Sequence, residues 1–326
     1  MSTSVPQIRL GRTEARVSRI SLGTWAFGGE NMAGKAHIGW SGHDDATARE
    51  ALLRAAELGI NHWDTADVYG NGRSEELIGG MWPMVGRARV FLATKVGWNT
   101  GGFDGFFHPD LVARELESSL RRLRTDVIDL YYLHHCGFGL GDARLDDALA
   151  LLRQARDAGK IRFIGLSDWD DANIMRVIAR VDPDVVQPYR NVTHDTFHSS
   201  GLASWCETHD CGLAFFSPIR HGLLLGKYAA PTVFPEGDFR NGDAGFRDPV
   251  LLARLSAAAE AIRARFPEQP DAVLGVLVAA VLEDAPGSCA LLGQRNPQQV
   301  EAAARASQLK LDAETLAWVR GLYAGT

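Results

Sequence analysis

The sequence predicts an α/β protein, a (β/α)8 barrel of the TIM type with a short N-terminal β-hairpin and two extra helices. Short apolar runs and helix-like segments alternate about eight times along the 326 residues, which is the pattern of a closed parallel sheet surrounded by helices. No GxGxxG follows the first apolar strand, where an open doubly wound sheet that binds a dinucleotide would carry it. No linker or change of composition divides the chain, so we expect residues 1–326 to form one barrel domain.

Alternation and helix stops define the first elements. Residues 7–17 alternate apolar and polar side chains around the turn GRTE, which predicts a β-hairpin ahead of the barrel. Residues 19–23 predict the first barrel strand. The periodic segment 44–58, stopped by Gly59, predicts the first helix.

The later elements repeat this order of strand and helix. The further strands are predicted at 61–65, 90–96, 127–134, 161–168, 185–191, 213–219 and 288–293. The further helices are predicted at 74–79, 109–123, 145–158, 171–180, 202–209, 249–266, 271–283, 297–306 and 313–322. A long loop rich in Pro and Gly is predicted at 227–248.

Composition and charge argue against several classes of protein. The net charge is −6 and no basic stripe is present, so a nucleic-acid partner is not expected. The first residues hold no apolar leader, and the most apolar helix, 272–282, is shorter than the roughly 20 residues that cross a membrane. The four cysteines lack metal-ligand spacing and do not suggest a disulfide framework. We therefore expect a soluble, cytoplasmic protein without a membrane partner or a metal ion.

Polar side chains stand at the ends of three predicted strands. In the stretch 61–79, NHWDTADVYGNGRSEELIG, Asp64 closes a strand and Tyr69 lies on the Gly-rich loop beyond it. Lys95 ends the apolar strand FLATKV, and His134 ends VIDLYYLH. Barrel enzymes carry their catalytic groups at these strand ends. Taken singly, Lys95 could instead form a structural ion pair and His134 could be a hydrogen-bonded core residue.

Together these four residues resemble the catalytic tetrad of the aldo-keto reductases in identity, order and position, and the resemblance covers nearly the whole chain. It implies hydride transfer between a nicotinamide and a carbonyl, with Tyr69 as the general acid and base. Lys95 would lower the pKa of Tyr69 from its usual value of about 10, and Asp64 would keep Lys95 charged. His134 would orient the carbonyl. Because adjacent strand residues face opposite ways, only one of His134 and His135 can point inward, and the resemblance selects His134.

The resemblance also implies a nucleotide site, for NADPH/NADP+ with NAD(H) not excluded. The residues that match the family's cofactor contacts are Gly23, Thr24, Trp25, Asp64, Ser167, Asp168, Gln187, Phe216, Ser217, Pro218, Ile219, Gly222, Leu224, Lys227, Gly293, Arg295 and Gln299. Phe216 stands where the family usually has a stacking tyrosine. Arg295 could pair with a 2′-phosphate, which favours NADPH, and the helix that starts near Pro297 would add its dipole.

Two positions depart from the family's pattern. Asp168 replaces an asparagine, and an ionised carboxylate can accept from the nicotinamide carboxamide but cannot donate to it. We expect it to favour the oxidised cofactor and so alcohol oxidation, an effect that Asp168→Asn would remove. Ala302 and Ala303 replace residues that often contact adenine, so the choice between NADP and NAD stays open.

The substrate pocket is expected among the loops beyond the strands. Trp25, Tyr69, Trp98 and His134 are its candidate lining residues, and the many loop aromatics favour an apolar or sugar-stacking pocket. The expected partner is a small carbonyl compound, possibly a sugar, or its alcohol. Two other functions remain open. One is a cofactor-binding regulatory subunit with little turnover, like the potassium-channel β subunits. The other is a metal-dependent hydrolase, for which the His-x-His pattern is missing.

Overall fold

The computed structural model describes residues 4–33 and 36–325, in which a closed barrel follows an N-terminal hairpin. In chain order, the strands are β1 (Gln7–Arg9), β2 (Arg16–Ser18), β3 (Ile20–Gly23), β4 (Met32–Ala33), β5 (Ala36–His37), β6 (His62–Asp64), β7 (Phe91–Val96), β8 (Ile128–Leu133), β9 (Ile161–Asp168), β10 (Val185–Pro188), β11 (Gly212–Phe216) and β12 (Ser288–Gly293).

Eight of these strands form the barrel, and they are parallel to one another. Their order around it is β3, β6, β7, β8, β9, β10, β11 and β12, and β12 pairs with β3 to close the sheet. Most positions of these strands are buried, because one face lines the barrel interior and the other packs against helices. The sequence prediction of this fold is confirmed.

The hairpin of β1 and β2 packs at the N-terminal end of the barrel. Leu10 and Val17 contact the residues that fill the barrel interior, among them Tyr132 and Cys289. The amide of Arg12 donates to the carbonyl of Asp210, just before β11, at 2.5 Å. The opposite, C-terminal end of the barrel therefore remains available for a binding site.

Eleven α-helices lie in the described part of the chain. They are α1 (Asp45–Glu57), α2 (Arg73–Gly79), α3 (Trp82–Val85), α4 (Pro109–Arg122), α5 (Leu145–Asp157), α6 (Asp171–Val181), α7 (Leu202–Thr208), α8 (Pro249–Arg265), α9 (Ala272–Leu282), α10 (Pro297–Ala306) and α11 (Ala313–Leu322). None of them combines the length and apolar character that crossing a bilayer requires. The sequence prediction omitted only the four-residue α3.

Side-chain caps explain why several of these helices begin where they do. Asp44, Asp170, Asp248, Asn296 and Asp312 each accept a hydrogen bond from an amide of the following first turn. The predicted helix starts lie at or next to these caps, because the capping residue is readable from the sequence.

Apart from the four-residue α3, two of the eleven helices exceed the eight of a regular (β/α)8 barrel. α8 packs on α9 after β11, and α11 contacts both α9 and α8. Leu255, Ile262, Val276 and Leu277 are fully or almost fully buried in this second cluster. The apolar composition of α9, which the sequence showed, thus reflects burial on all sides.

Two long loops meet above the C-terminal end of the barrel. Phe239, on the loop after β11, donates its amide to Gly39, on the loop after β3, at 2.9 Å. Asp238 accepts from the amide of Ser41 at 3.1 Å and from its hydroxyl at 2.7 Å. We call residues 39–41 with 238–240 the loop clasp. It spans the mouth of the barrel from its first strand to its seventh.

Candidate active site

The four candidate catalytic residues meet at the C-terminal end of the barrel. Lys95, on β7, donates its ammonium to the carboxylate of Asp64 in a short ion pair and to the carbonyl of Thr65 at 2.8 Å. The Tyr69 hydroxyl lies 3.4 Å from the same ammonium. His134 follows β8 directly, and its ring centroid is 5.9 Å from that of Tyr69. Three elements that are distant in sequence therefore bring one acid, one cation, a phenol and an imidazole together.

Hydroxyl groups fix the strand end that carries Asp64. The Thr24 amide and hydroxyl both donate to the Asp64 carbonyl, at 3.0 and 2.8 Å. The Ser74 hydroxyl, on α2, bonds to the Thr24 hydroxyl at 2.8 Å and accepts from Thr65 at 2.9 Å. Since these groups are buried, their hydrogen bonds hold β3, β6 and α2 in one arrangement.

A close backbone approach places Tyr69 beside the loop after β3. Gly70 has a φ of 63°, and a Cβ added there would lie 2.2 Å from the carbonyl oxygen of Gly28. Only glycine fits this approach. The Tyr69 ring consequently stacks near Trp25, with 5.9 Å between ring centroids.

Burial dominates the electrostatics of Lys95 and Tyr69. Burial lowers the pKa of Lys95, and the charge of Asp64 opposes that change. Burial raises the pKa of Tyr69 well above its usual value, and the charges of Asp64 and Asp67 raise it further. The net change in the pKa of Tyr69 is upward, and burial is its largest cause. The Tyr69 phenol is therefore neutral in the free protein.

The two adjacent histidines have different surroundings. His134 lines a cavity at this end of the barrel, and its buried Nδ1 has no hydrogen-bond partner among the described residues. Burial, with the nearby Lys95 charge, lowers its pKa well below the usual value, so the ring is neutral. His135 donates from Nε2 to the Gly97 carbonyl at 2.7 Å and accepts at Nδ1 from the Gly137 amide at 2.9 Å. Of the two rings, only that of His134 lines this cavity.

A cavity of about 460 Å³ extends from these residues towards α10. The predicted site residues that line it are Gly23, Thr24, Trp25, Asp64, Tyr69, Trp98, His134, Ser167, Gln187, Phe216, Ser217, Pro218, Ile219, Gly222, Lys227, Gly293, Arg295 and Gln299. We call it the main cavity. Its volume lies within the roughly 300–1,000 Å³ of small-molecule sites.

Three predicted site residues do not line the main cavity. Lys95 is completely buried and acts on the cavity through Tyr69. Leu224 packs in the cluster around α9. The Asp168 carboxylate accepts from the amides of Cys136 at 2.7 Å and Asp170 at 3.0 Å, so both of its oxygens are hydrogen-bonded to the backbone.

The far end of the main cavity is cationic. Arg295 donates from Nη2 to the carbonyls of Ser41 and Gly42, at 2.5 and 2.9 Å, and its other guanidinium nitrogens bond to none of the described residues. Burial and the nearby Arg240 lower the pKa of Arg295. The N-terminus of α10 follows immediately. A dinucleotide phosphate fits this donor set.

Some lining residues were not predicted from the sequence. They include Trp169, His221 and Arg240 from the loops, and Leu274 from α9. Trp169 directly follows the predicted strand end at Asp168, and this position in the sequence could have identified it as a lining residue. The loop aromatics Phe103, Phe106 and Phe107 lie outside the lining. Phe106 and Phe107 pack against His135.

No group of three or more His, Cys, Asp or Glu side chains is positioned to hold a metal ion within residues 4–33 and 36–325. The four cysteines, which all fall in these ranges, are buried and unpaired.

Comparisons with known proteins agree with this geometry. The chain matches a family model described as the aldo/keto reductase family over residues 19–324. One relative is the aldo-keto reductase YhdN of Bacillus subtilis (strain 168), to which the chain is 31% identical over 307 residues. This alignment covers 93% of this chain and 88% of the relative. Another relative is the aldo-keto reductase yakc of Schizosaccharomyces pombe (strain 972 / ATCC 24843), whose name specifies NADP(+). The chain is 36% identical to it over 211 residues, which are 61% of this chain and 60% of the relative. The structure of the glycerol dehydrogenase AKR11B4 from Gluconobacter oxydans superposes with a TM-score of 0.79 at 29% identity, covering 99% of this chain and 96% of that one.

Proposed function

The chain belongs to the aldo/keto reductase family, and we propose that it is an NADP(H)-dependent oxidoreductase that interconverts an aldehyde or ketone with its alcohol. The observation that carries this proposal is the Tyr69 phenol, which lines the main cavity 3.4 Å from the buried Lys95 ammonium. His134 lines the same cavity opposite the phenol. A carbonyl oxygen between the two side chains would accept a hydrogen bond from each.

Tyr69 moves the proton in this proposal. A reduced nicotinamide bound in the main cavity would supply the hydride to the carbonyl carbon, and the carbonyl oxygen would then carry negative charge. Burial keeps the Tyr69 phenol protonated, and an alkoxide is basic enough to take its proton. Lys95 then stabilises the phenolate, and the Asp64 carboxylate holds Lys95 in place. In the oxidation direction the same phenolate removes the proton from the alcohol.

The chain's own residues suit a phosphorylated dinucleotide. Gln187 donates to Asp64 at 2.8 Å and Ser167 donates to the Gln187 carbonyl at 2.8 Å, which fixes the polar floor beside Phe216. Ser217 and Gly222 both line the main cavity and have positive φ values of 61° and 90°, a feature of turns whose backbone N–H groups can bind anions. The open nitrogens of Arg295 favour a 2′-phosphate, and the name of the yeast relative agrees with NADP. Ala302 and Ala303, which replace residues that often contact adenine, also line the cavity. Binding of NAD(H) is therefore tested alongside that of NADP(H).

Our first prediction tests the assignment of Tyr69. In Tyr69→Phe we expect turnover on a panel of aldehydes and sugars to fall about 10²–10⁴-fold, because the proton donor is lost, while the Kd for NADPH stays unchanged. Binding is measured by tryptophan fluorescence with NADPH and NADH. Tyr131→Phe is the matched control, since Tyr131 is buried outside the main cavity.

The outcomes separate the alternatives. Tight NADPH binding with turnover that depends on Tyr69 supports the proposal. Binding without turnover on any substrate would favour a regulatory, cofactor-binding role. No binding of either nucleotide would overturn the proposed enzyme function.

A further inference from the structure

A second cavity of about 470 Å³ lies beyond β9, β10 and β11, beside the main cavity. It shares Trp169 and His221 with the main cavity, and no member of the tetrad lines it. Its volume also falls within the roughly 300–1,000 Å³ of small-molecule sites. The two cavities are therefore neighbours, and a molecule that passes Trp169 could occupy both.

One wall of the second cavity is aromatic. Trp169 is 43% exposed, which is unusual for a large apolar side chain. Its ring stands edge-on to Phe216, with centroids 4.8 Å apart, and is tilted against Tyr189 at 5.1 Å. Tyr189 in turn contacts His194 at 5.1 Å. This packing holds the indole at the cavity and leaves part of its surface open to a ligand.

The other wall is polar but electrically balanced. Arg220 donates from Nη2 and Nε to the two carboxylate oxygens of Asp243, at 3.1 and 3.2 Å. Both side chains retain solvent contact, at 28% and 21% exposure. Such a planar pair still presents guanidinium N–H donors and carboxylate lone pairs at its rim. Because the two charges compensate each other, the wall favours neutral hydroxyl groups over an anion.

A strained turn places these groups. Arg220 and His221 are consecutive residues with φ values of 43° and 56°, followed by Gly222 at 90°. Left-handed backbone is unfavourable for residues other than glycine, and such strain clusters at functional sites as well as in turns. The His221 ring packs on Phe239 and Trp25, at 4.7 and 5.7 Å, in the wall between the cavities. Arg220 reaches Asp243 in the second cavity instead.

We propose that the second cavity is a subsite for the neutral, polyhydroxylated part of a saccharide substrate. A sugar ring has an apolar C–H face, which fits the exposed indole of Trp169. It also has a rim of hydroxyl groups, each a donor and an acceptor, which fits the pair of Arg220 and Asp243. The proposal rests on the proposed function, since the carbonyl end of the same substrate must reach Tyr69 past the shared Trp169.

Saturation-transfer NMR with methyl α-D-glucopyranoside tests the subsite directly, because this glycoside has no free carbonyl and cannot be reduced. We expect binding to the wild-type protein, weakened about tenfold in Trp169→Ala through loss of the aromatic surface. Arg220→Asn should weaken it similarly, and asparagine tolerates the left-handed backbone at this position. Leu140→Ala is the matched control, since Leu140 is 98% exposed and lines neither cavity. Its binding should equal that of the wild type.

Kinetics with the same proteins adds a second readout. Arg220→Asn should raise KM for D-glucose and leave KM for D-glyceraldehyde unchanged, because Arg220 lines the second cavity and not the main cavity. Trp169→Ala should raise KM for D-glucose by the larger factor of the two substrates, because Trp169 borders both cavities. Three results would overturn the subsite: no binding of the glycoside, equal binding by all variants, or tighter binding of glucose 6-phosphate than of the neutral glycoside. Absence of turnover on every carbonyl compound would instead count against the proposed function, and the NMR result would still decide the subsite.

Discussion

Asp168 shows how the direction of one side chain decides its role. In sequence it stands at a position where a nicotinamide contact is expected. In the structure its carboxylate accepts from the amides of Cys136 and Asp170 and from the Asn173 side chain, at 2.7, 3.0 and 3.2 Å. Three N–H donors surround one anion and satisfy its oxygens. The side chain therefore fixes the connection between β9 and α6.

This arrangement predicts a structural effect of Asp168→Asn. The new amide would turn its NH2 group towards N–H donors, so we expect a loss of about 1–3 kcal/mol in the free energy of unfolding, measured in urea. Asp146→Asn, at a carboxylate that is 78% exposed, should cost almost nothing.

The same variant, Asp168→Asn, tests the expectation that the Asp168 carboxylate favours the oxidised cofactor. Because the carboxylate does not line the main cavity, we expect equal ratios of the NADP+ and NADPH dissociation constants in wild type and Asp168→Asn. A ratio that shifts without any loss of stability would show that the carboxylate acts on the cofactor.

At the scale of elements, one arginine joins the connection between β10 and α7 to the C-terminal helices. The Arg190 guanidinium is buried and lies between the rings of Phe197 and Phe215, at 4.8 and 4.9 Å. It pairs with Asp195 at 2.8 Å and with Asp284, beyond α9, at 3.0 Å. Arg320 on α11 forms ion pairs with the same two carboxylates, and its side chain is 41% exposed.

These two arginines give a matched prediction. Arg190→Met should lower the free energy of unfolding by about 3–5 kcal/mol, because it leaves carboxylates without their buried partner. Arg320→Met should cost only about 0–1 kcal/mol, since an exposed pair contributes little. Guanidinium titrations followed by circular dichroism measure both. Equal losses in the two variants would show that burial of Arg190 is not what makes its ion pairs important.

At the scale of the whole molecule, the loop clasp joins the first and seventh barrel strands above the main cavity. Asp238 is its centre. Burial alone would raise the pKa of Asp238, but hydrogen bonds from Arg240 and Ser41 outweigh burial and lower the pKa to about 2 from the usual 3.8. The Arg240 guanidinium also lies 4.7 Å from the Trp40 ring. The ionised carboxylate therefore stabilises the closed clasp.

The sign of this pKa change fixes the pH dependence. The charged form is favoured in the native state, so the stabilisation is fully present above about pH 4 and is lost as the pH falls towards 2. We expect the difference in Tm between wild type and Asp238→Asn to be constant above about pH 4 and to shrink below it. Differential scanning fluorimetry between pH 2 and 7 measures this. A difference independent of pH would contradict the role of the charge.

Much of the architecture was readable from the sequence because its signals are local. Apolar runs, capping residues and helix stops predicted all eight barrel strands and every helix except α3. Because a parallel barrel gathers its strand ends on one rim, the positions of Asp64, Tyr69, Lys95 and His134 in sequence already implied that they meet.

Other features depend on contacts between residues far apart in the chain, and only the tertiary structure decided them. Whether Asp168 and Leu224 face the cavity depends on which donors and apolar groups other elements bring near them. The net effect of Asp64 and Lys95 on the pKa of Tyr69 depends on burial, which no single segment specifies. The loop clasp and the second cavity arise where loops from several strands meet. Sequence periodicity records which face of an element is buried, but not what it is buried against, and that is why these features appear only in the folded chain.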